Sequence, residues 1–301
     1  MESINKIAVL YGGSSGEREV SIESGKRVHD AIIELGYECK KFDINDVDDL
    51  NTLTNFDFIF IALHGEEGES GVLQKQLESI GLPYTGSNAE SCSRSWNKSI
   101  SKDLIRKNGM KTPDSIQINN SLNFKRSYED IPFDHFFIKP SMDGSSVNIF
   151  EIKNENEYKA TIKKLNTLNG PFILEEAIKF KEYTVTIIGE LVLPPIEIKT
   201  SNSFYDYEAK YISDDTDLVE ANYSDEWLDN IKNFAKNSYQ SLGCSGWARG
   251  DILEDKDGHF YFLELNSSPG MTSHSCVPKS GEFMGLTYNE IVQKIIDASI
   301  A

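Results

Sequence analysis

Four polar side chains near the end of the chain have the types and spacing that phosphate chemistry requires. They form two pairs with one residue between the partners, Arg249 with Asp251 and Glu264 with Asn266. Carboxylate and amide oxygens suit Mg²⁺, which usually shares its coordination shell with substrate phosphates. A guanidinium suits a phosphate or a developing oxyanion. The spacing therefore predicts a metal-assisted site for an anionic substrate, and an ordinary solvated strand face is the alternative.

A β-hairpin would bring these two pairs together. Residues 255–258 are typical of a tight turn, and the apolar residues on both sides of them predict two strands. Side chains alternate between the faces of a strand, so the members of each pair share a face. If Glu254 pairs with His259, Arg249 lies opposite Glu264 and all four polar groups point the same way. A slip of one residue would put the pairs on opposite faces.

Length and composition limit the kind of protein that must position these groups. At 301 residues the chain is too long for one ordinary core, so two or three domains are expected. Apolar residues make up 39% and charged residues 26%, which is typical of globular proteins. The formal net charge of −18 argues against nucleic acid or an anionic membrane as a partner. An anionic ligand would need local lysine, arginine or metal to offset that charge.

Segments that would direct the chain to a membrane or out of the cell are not recognised. No run of residues reaches transmembrane length, and the N-terminus lacks the basic and apolar regions of a signal peptide. The cysteines are scattered without metal-binding spacing, at Cys39, Cys92, Cys244 and Cys276. This pattern predicts a cytoplasmic protein with reduced thiols.

The first part of the chain has the pattern of a parallel sheet. Residues 7–11 and 56–63 are apolar runs of the kind that buried parallel strands show. The glycine-rich loop at 12–16 leads into a helix at Glu17. The Glu17 carboxylate could pair with an ammonium group, or it could simply be stabilised by the helix dipole. His64 stands at the end of the second strand, where open α/β sheets bind ligands. A structural histidine is the alternative there.

The middle of the chain offers candidate contacts for a phosphate and a base. Lys139 precedes a loop of small residues at 141–147, whose backbone N–H groups could hold phosphates. Glu175 could accept a hydrogen bond from an adenine amino group, and Glu182 from ribose hydroxyls. A solvated lysine and two surface carboxylates are the alternatives. The aromatic segment at 201–222 has the length of a lid or binding loop. Helices are predicted over residues 96–109 and 228–242.

In their order along the chain, these motifs resemble those of the D-alanine–D-alanine ligases of the ATP-grasp group. The resemblance extends from residue 7 to about residue 286. Six segments carry it: YGGSSGEREVS at 11–21, ALHG at 62–65, LPYTG at 82–86, KPSMDGSSV at 139–147, FYDYEAKY at 204–211 and ELNSSPGMT at 264–272.

The resemblance implies an α/β protein with a three-domain ATP-grasp fold. A Rossmann-like domain with a parallel sheet would occupy residues 1–92, and two α+β domains at 93–180 and 181–301 would grip ATP between them. ATP would phosphorylate the carboxylate of a first D-alanine, and the amine of a second D-alanine would attack the acyl phosphate. The resemblance also implies two Mg²⁺ or Mn²⁺ ions, a homodimer and a role in peptidoglycan synthesis.

Individual roles follow from motif positions in this resemblance. The ATP contacts would be Lys98, Lys139, Ser145, Glu175, Ile178 and Glu182. The metal ligands would be Asp251, Glu264 and Asn266. The oxyanion site would comprise Arg249 and the backbone N–H of Gly270. The first D-alanine would be bound by Glu17 and His64, and the second by Lys210, Ser275 and Cys276. A hydrogen-bonded trio that closes the lid would comprise Glu17, Ser145 and Tyr211.

Three positions depart from the family pattern. They are Ser70 in place of a common Asp, Ala177 in place of a larger side chain, and Gly250 in place of a β-branched residue.

Three other functions stay open. A relative that uses D-lactate or D-serine is the first alternative, and Tyr211 favours D-alanine because D-lactate users tend to carry Phe. A regulatory nucleotide-binding module would be expected to lack Arg249 or a metal ligand. A hydrolase using Ser145 or the next serine lacks the G-x-S-x-G elbow.

Overall fold

The described residues form three sheets that are covered by helices. A computed structural model describes residues 4–120, 122, 124–144, 148–168, 170–200 and 216–300. Three predicted site residues, Ser145, Lys210 and Tyr211, lie outside the described residues, as does most of the predicted lid.

The first sheet is parallel, as predicted. Strand β1 (Lys6–Tyr11) lies between β2 (Glu38–Asp43) and β3 (Phe58–Ile61), and helix α1 (Arg18–Glu34) packs on the sheet. Strand β3 is shorter than the predicted 56–63. Just before β3, the Asp57 carboxylate accepts hydrogen bonds from the N–H groups of Asn5 and Lys6.

Four helices lead from the first sheet to the second. They are α2 (Glu66–Glu69), α3 (Val72–Ser79), α4 (Ala89–Trp96) and α5 (Lys98–Lys107). The helix predicted over residues 96–109 is present as α5 and begins two residues later than predicted, because Asn97 separates it from α4. The Asn97 side chain accepts hydrogen bonds from the N–H groups of Ser99 and Ile100. This cap satisfies donors that a new helix leaves without partners.

The second sheet is antiparallel and has the order β4-β7-β5-β6. Its strands and the helix that packs against β6 are β4 (Ser115–Ile118), β5 (Phe136–Pro140), β6 (Phe150–Ile152), α6 (Glu155–Leu165) and β7 (Phe172–Glu176). Strand β6 begins two residues later than predicted. Asn148 has a φ of +56°, which a strand does not accommodate.

The third sheet is also antiparallel and has the order β11-β10-β8-β12-β13, with β9 on the edge of β8. Its strands are β8 (Lys181–Ile188), β9 (Leu191–Val192), β10 (Ile196–Thr200), β11 (Thr216–Glu220), β12 (Trp247–Glu254) and β13 (Phe260–Asn266). The remaining helices are α7 (Asp225–Ser241), α8 (Cys276–Phe283) and α9 (Tyr288–Ile300). Helix α7 begins earlier than predicted because Ser224 accepts a hydrogen bond from the Trp227 N–H.

One apolar cluster joins the first and third sheets. Val9 and Phe60 of the first sheet pack in the same buried cluster as Trp247 of β12 and Ile295 of α9. Burial of such a shared cluster fixes the two sheets relative to each other. All four cysteines are free thiols. Of the helices that the structure describes, none is both long and apolar enough to cross a membrane.

Candidate active site

A cavity of about 760 Å³ lies among the three sheets. It is lined by strands of the second and third sheets and by residues that follow β1 and β3 of the first sheet. Most of the predicted site residues line it: Glu17, His64, Lys98, Lys139, Glu175, Ile178, Glu182, Arg249, Asp251, Glu264, Asn266 and Gly270. Residues that lie far apart in sequence therefore share one cavity, as a site between domains requires.

The β12–β13 hairpin brings its four polar side chains to one face, but not in the predicted register. Glu254 pairs with Phe260 rather than His259, so the predicted pairing is wrong by one residue. A β-bulge at Asp251 adds a second shift, after which Asp251 lies opposite Glu264 and Arg249 opposite Asn266. A bulge places one extra residue in one strand. The slip and the bulge together restore the shared face.

The groups on this hairpin face contact one another directly. Arg249 donates two hydrogen bonds to Asp251, from Nε to Oδ1 at 3.0 Å and from a terminal nitrogen to Oδ2 at 2.8 Å. The Asn266 amide donates to Asp251 Oδ2 at 3.1 Å, and Lys98 Nζ lies 3.3 Å from Glu264 Oε2. Two carboxylates and an amide oxygen on one face are the hard ligands that Mg²⁺ or Mn²⁺ prefers, so the residues present fit such an ion.

Glu175, another residue that lines the cavity, lies between two lysines. Its Oε1 accepts a hydrogen bond from Lys139 Nζ at 2.7 Å, and its Oε2 lies 2.5 Å from Lys102 Nζ. Burial alone would raise the pKa of Glu175, but the two ammonium groups bring that pKa below its usual range. Lys102 was not predicted from the sequence. The one signal for it is its position four residues after Lys98 on the same helix face.

The predicted contacts for a first substrate lie at the end of β3 and the start of α1. Glu17 is buried, and a side chain on Gly144 would contact its Oε2, so the loop after β5 approaches Glu17 closely. His64 Nδ1 lies 2.8 Å from the Ser268 carbonyl, and His64 Nε2 lies 3.1 Å from Ser24 Oγ. Since a carbonyl can only accept, Nδ1 carries the proton.

His64 therefore uses both ring nitrogens to connect separate parts of the chain. Burial lowers the pKa of His64, which keeps the ring neutral. The Ser24 hydroxyl donates to Nε2 and accepts the backbone N–H of Met271 at 3.0 Å. Through this chain of hydrogen bonds, His64 fixes helix α1 against the loop that contains Gly270.

Glu69 is a buried residue that lines the cavity and was not predicted from the sequence. Its Oε1 accepts the backbone N–H of Gly65 at 3.1 Å. Burial raises the pKa of Glu69 to about 8, and the negative charges of Glu17 and Glu264 add to the shift. Gly65 has a φ of +66°, a backbone conformation that favours glycine. The acidic run after His64 was the available signal for Glu69.

Ser275 and Cys276 lie behind the loop that closes the hairpin face. Ser275 Oγ accepts the backbone N–H of Thr272 at 3.0 Å, and a Cβ on Gly270 would lie 2.6 Å from that oxygen. Only glycine fits such a close approach. Cys276 is buried at the start of α8 and is not among the residues that line the cavity.

Comparisons with known proteins agree with this geometry. A family model described as the D-ala D-ala ligase C-terminus matches residues 112–297. A D-alanine–D-alanine ligase from Actinobacillus succinogenes is 38% identical over 304 residues, which cover 98% of this chain and 98% of that protein.

Solved structures show the same likeness in three dimensions. A D-alanine–D-alanine ligase from Bacillus anthracis, complexed with ATP, has a TM-score of 0.86 and 29% identity, with 99% of this chain and 98% of that chain covered. The VanG D-Ala:D-Ser ligase from Enterococcus faecalis has a TM-score of 0.86 and 26% identity, with 99% and 100% covered.

The fold is therefore the three-domain ATP-grasp fold, with an N-terminal parallel sheet and two antiparallel sheets around one cavity. Within that class, the chain belongs to the D-alanine–D-alanine ligase family. The predicted fold class and the predicted family are confirmed. The predicted roles of individual site residues stay predictions.

Proposed function

We propose that this protein is an ATP-dependent, ADP-forming ligase that joins two D-alanine molecules into D-alanyl-D-alanine for peptidoglycan synthesis. One observation carries the proposal. The hairpin face with Arg249, Asp251, Glu264 and Asn266 opens into the same cavity as Glu17 and the Lys139–Glu175 pair. A single cavity thus offers groups for a metal-bound phosphate, an ammonium and a nucleotide base.

The reaction has two steps, phosphoryl transfer and then formation of the peptide bond. A carboxylate oxygen of the first D-alanine attacks the γ-phosphorus of ATP, so an O–P bond forms and the bond to ADP breaks. The amine of the second D-alanine then attacks the carbonyl carbon of the acyl phosphate. The tetrahedral intermediate releases phosphate, and the amine loses a proton as the peptide bond forms.

The chain's own residues would bind and orient these reactants. Glu17 would hold the ammonium of the first D-alanine, and Lys98 would contact the ATP phosphates. Arg249 and the Gly270 N–H would stabilise the oxyanion. Asp251, Glu264 and Asn266 would hold Mg²⁺ or Mn²⁺, which would supply positive charge to stabilise the phosphates.

The remaining assignments rest on the resemblance. Lys139, Glu175, Ile178 and Glu182 would surround the base and ribose, and Ser275 with Lys210 would hold the carboxylate of the second D-alanine. Glu17, Ser145 and Tyr211 would close the lid, which keeps water from the acyl phosphate. We further propose domain boundaries after residues 92 and 180, a homodimer and a cytoplasmic location.

The first test measures phosphate release and product mass together. The protein is mixed with ATP, Mg²⁺ and D-alanine, and the expected result is phosphate with D-alanyl-D-alanine. L-alanine should yield neither product. Since a D-Ala:D-Ser ligase has the same TM-score to this chain as the D-Ala ligase, D-serine and D-lactate are offered in competition. A mixed product that outweighs the D-alanine dipeptide would replace the proposed second substrate.

Replacing one metal ligand tests the hairpin assignment. We expect Glu264→Gln to lower kcat by about 10³-fold or more, because loss of charge stabilisation worth several kcal/mol has that effect on a rate. Asp257→Asn, which changes an exposed acid at the tip of the same hairpin, serves as the matched control and should keep wild-type activity. Wild-type turnover in Glu264→Gln would remove Glu264 from the metal site.

A further inference from the structure

Lys102 is a buried lysine that the proposed mechanism does not use. Its side chain is 0% exposed, and it does not line the cavity. The Lys102 ammonium contacts Glu175 Oε2 at 2.5 Å and donates to Thr112 Oγ1 at 2.9 Å. Thr112 in turn donates to the Phe262 carbonyl of β13 at 2.8 Å. A buried ammonium is costly unless it is paired, so this one must act through its partners.

Its main partner, Glu175, does face the cavity. Glu175 is 2% exposed, and Lys139, which also lines the cavity, donates to its other oxygen at 2.7 Å. Oε2 is buried against the Lys102 ammonium at 2.5 Å. Oε1 accepts from Lys139, and because a carboxylate oxygen has a second lone pair, Oε1 can also accept a hydrogen bond from a ligand.

The two lysines make Glu175 an acceptor only. Burial by itself favours the protonated carboxyl group, which could also donate a hydrogen bond. The positive charges on both sides keep the group ionised, and its pKa lies below the usual range. A fixed acceptor in the wall accommodates a base edge that carries an amino group. It repels an edge that presents a carbonyl oxygen at the same place.

We propose that Lys102 is a positioning residue that holds Glu175 ionised and oriented, and thereby makes the cavity select a 6-amino purine over a 6-oxo purine. This inference rests on the proposed function, because it takes Glu175 to face the base of ATP. Lys102 acts from behind the wall and touches no ligand. Helix α5 supplies it from the same face as Lys98.

Binding measurements with ATP and ITP test the proposal without requiring turnover. Affinities are measured by calorimetry for the wild type and for Lys102→Met, which keeps the length of the side chain. We expect wild type to bind ATP at least about tenfold tighter than ITP, because a site built around a hydrogen bond discriminates strongly against the mismatched group. In Lys102→Met that preference should fall at least about tenfold, mainly through weaker ATP binding.

The control is Lys107→Met, an exposed lysine near the end of the same helix, which should keep the wild-type preference. Equal weakening of ATP and ITP binding in Lys102→Met would overturn the proposal, since a purely structural lysine would affect both nucleotides alike. An unchanged preference would overturn it as well.

A second variant covers the case in which Lys102→Met does not fold. The double variant Lys102→Met/Glu175→Gln replaces the buried ion pair with neutral groups of similar shape, a change that is often tolerated. Because an amide both donates and accepts, this variant should bind ATP and ITP within about threefold of each other. A wild-type preference in it would overturn the proposal. Nucleotide selectivity that depends on Lys102, found without dipeptide formation, would support the proposal and reject the ligase function.

Discussion

Glu175 and Glu69 are buried carboxylates in the walls of one cavity, yet their neighbours give them opposite states. Glu175 lies between Lys102 and Lys139, and its pKa is lowered. Glu69 accepts a hydrogen bond from the Gly65 N–H and has no lysine or arginine paired with it among the described residues, and burial raises its pKa to about 8. At pH 7 the first carboxyl group is ionised and the second holds a proton. Burial therefore sets the cost of the charge, and the neighbours decide whether the charge is kept.

The same difference separates two groups of residues in the cavity. Glu175 already has the two lysines that neutralise it. The other group comprises the carboxyl groups of Glu17, Glu69, Asp251 and Glu264 with Arg249 and Lys98. Incoming positive charge, as an ammonium or a divalent ion, is favoured in this acidic group. In this way a chain with a net charge of −18 can use its carboxylates to bind the cations that an anionic ligand needs.

The largest effect is expected when the negative charge of Glu175 is removed. Glu175→Leu leaves two buried ammonium groups without their shared counter-charge, so we expect the free energy of unfolding to fall by about 3–5 kcal/mol. Urea unfolding measures the change. Glu176→Leu, the next position on β7 and only partly buried, is the control and should cost less than about 1 kcal/mol. Equal losses would show that the strand, not the charge, is responsible.

A smaller effect is expected from Glu69, the carboxyl group that holds a proton. The pKa of Glu69 is near 8 in the folded protein, against an ordinary value of 4.5. Between these two values the unfolded chain releases a proton that the folded protein keeps, so stability falls as pH rises through this window. Glu69→Gln removes that fall. We expect its Tm to exceed that of the wild type by a few degrees at pH 8.5 and to match it near pH 4.5.

Thermal unfolding from pH 4.5 to 9 checks this prediction. Glu66→Gln changes an exposed acid on the same short helix and should give a difference in Tm that does not vary with pH. A pH-independent difference for Glu69→Gln as well would mean that Glu69 is ionised in the folded protein.

The smallest expected effect is that of the Glu17 charge on the pKa of Glu69. The charge of Glu17 follows burial as the second cause of the raised pKa. In a Glu17→Gln background the pKa of Glu69 should fall by less than about one unit, because one like charge is removed and burial is unchanged. The pH at which the Glu69→Gln stabilisation levels off should move down accordingly. An unmoved profile would assign the shift to burial alone.

The hairpin shows how far the sequence allowed prediction. Alternation along each strand predicted that Arg249, Asp251, Glu264 and Asn266 share a face, and the structure confirms it. The register was wrong because neither the length of the turn nor the bulge has a signature in the composition of these strands. The two shifts add to two residues, and since side chains alternate, the four groups still share a face although the predicted partners do not pair.

Buried charge could not be predicted in the same way. Lys102 follows a helical pattern that is equally compatible with a solvated face, and Glu69 stands in a run of acids of which Glu66 is exposed. What distinguishes them is packing by distant strands, which local sequence does not contain. The start of α5 was placed two residues too early for a related reason, since the Asn97 cap depends on the backbone of two helices at once. The parallel sheet was predicted because apolar runs report burial directly.

The spacing of two lysines on helix α5 limits how its sequence can evolve. It presents Lys98 to Glu264 and Lys102 to Glu175, four residues and about one turn apart. Inserting or deleting one residue between them would rotate the second lysine by about 100° around the helix axis. The exposed side chains of α5 can be substituted, but the number of residues in this turn cannot change. In related sequences, this stretch should therefore show substitutions at exposed positions and no insertions or deletions.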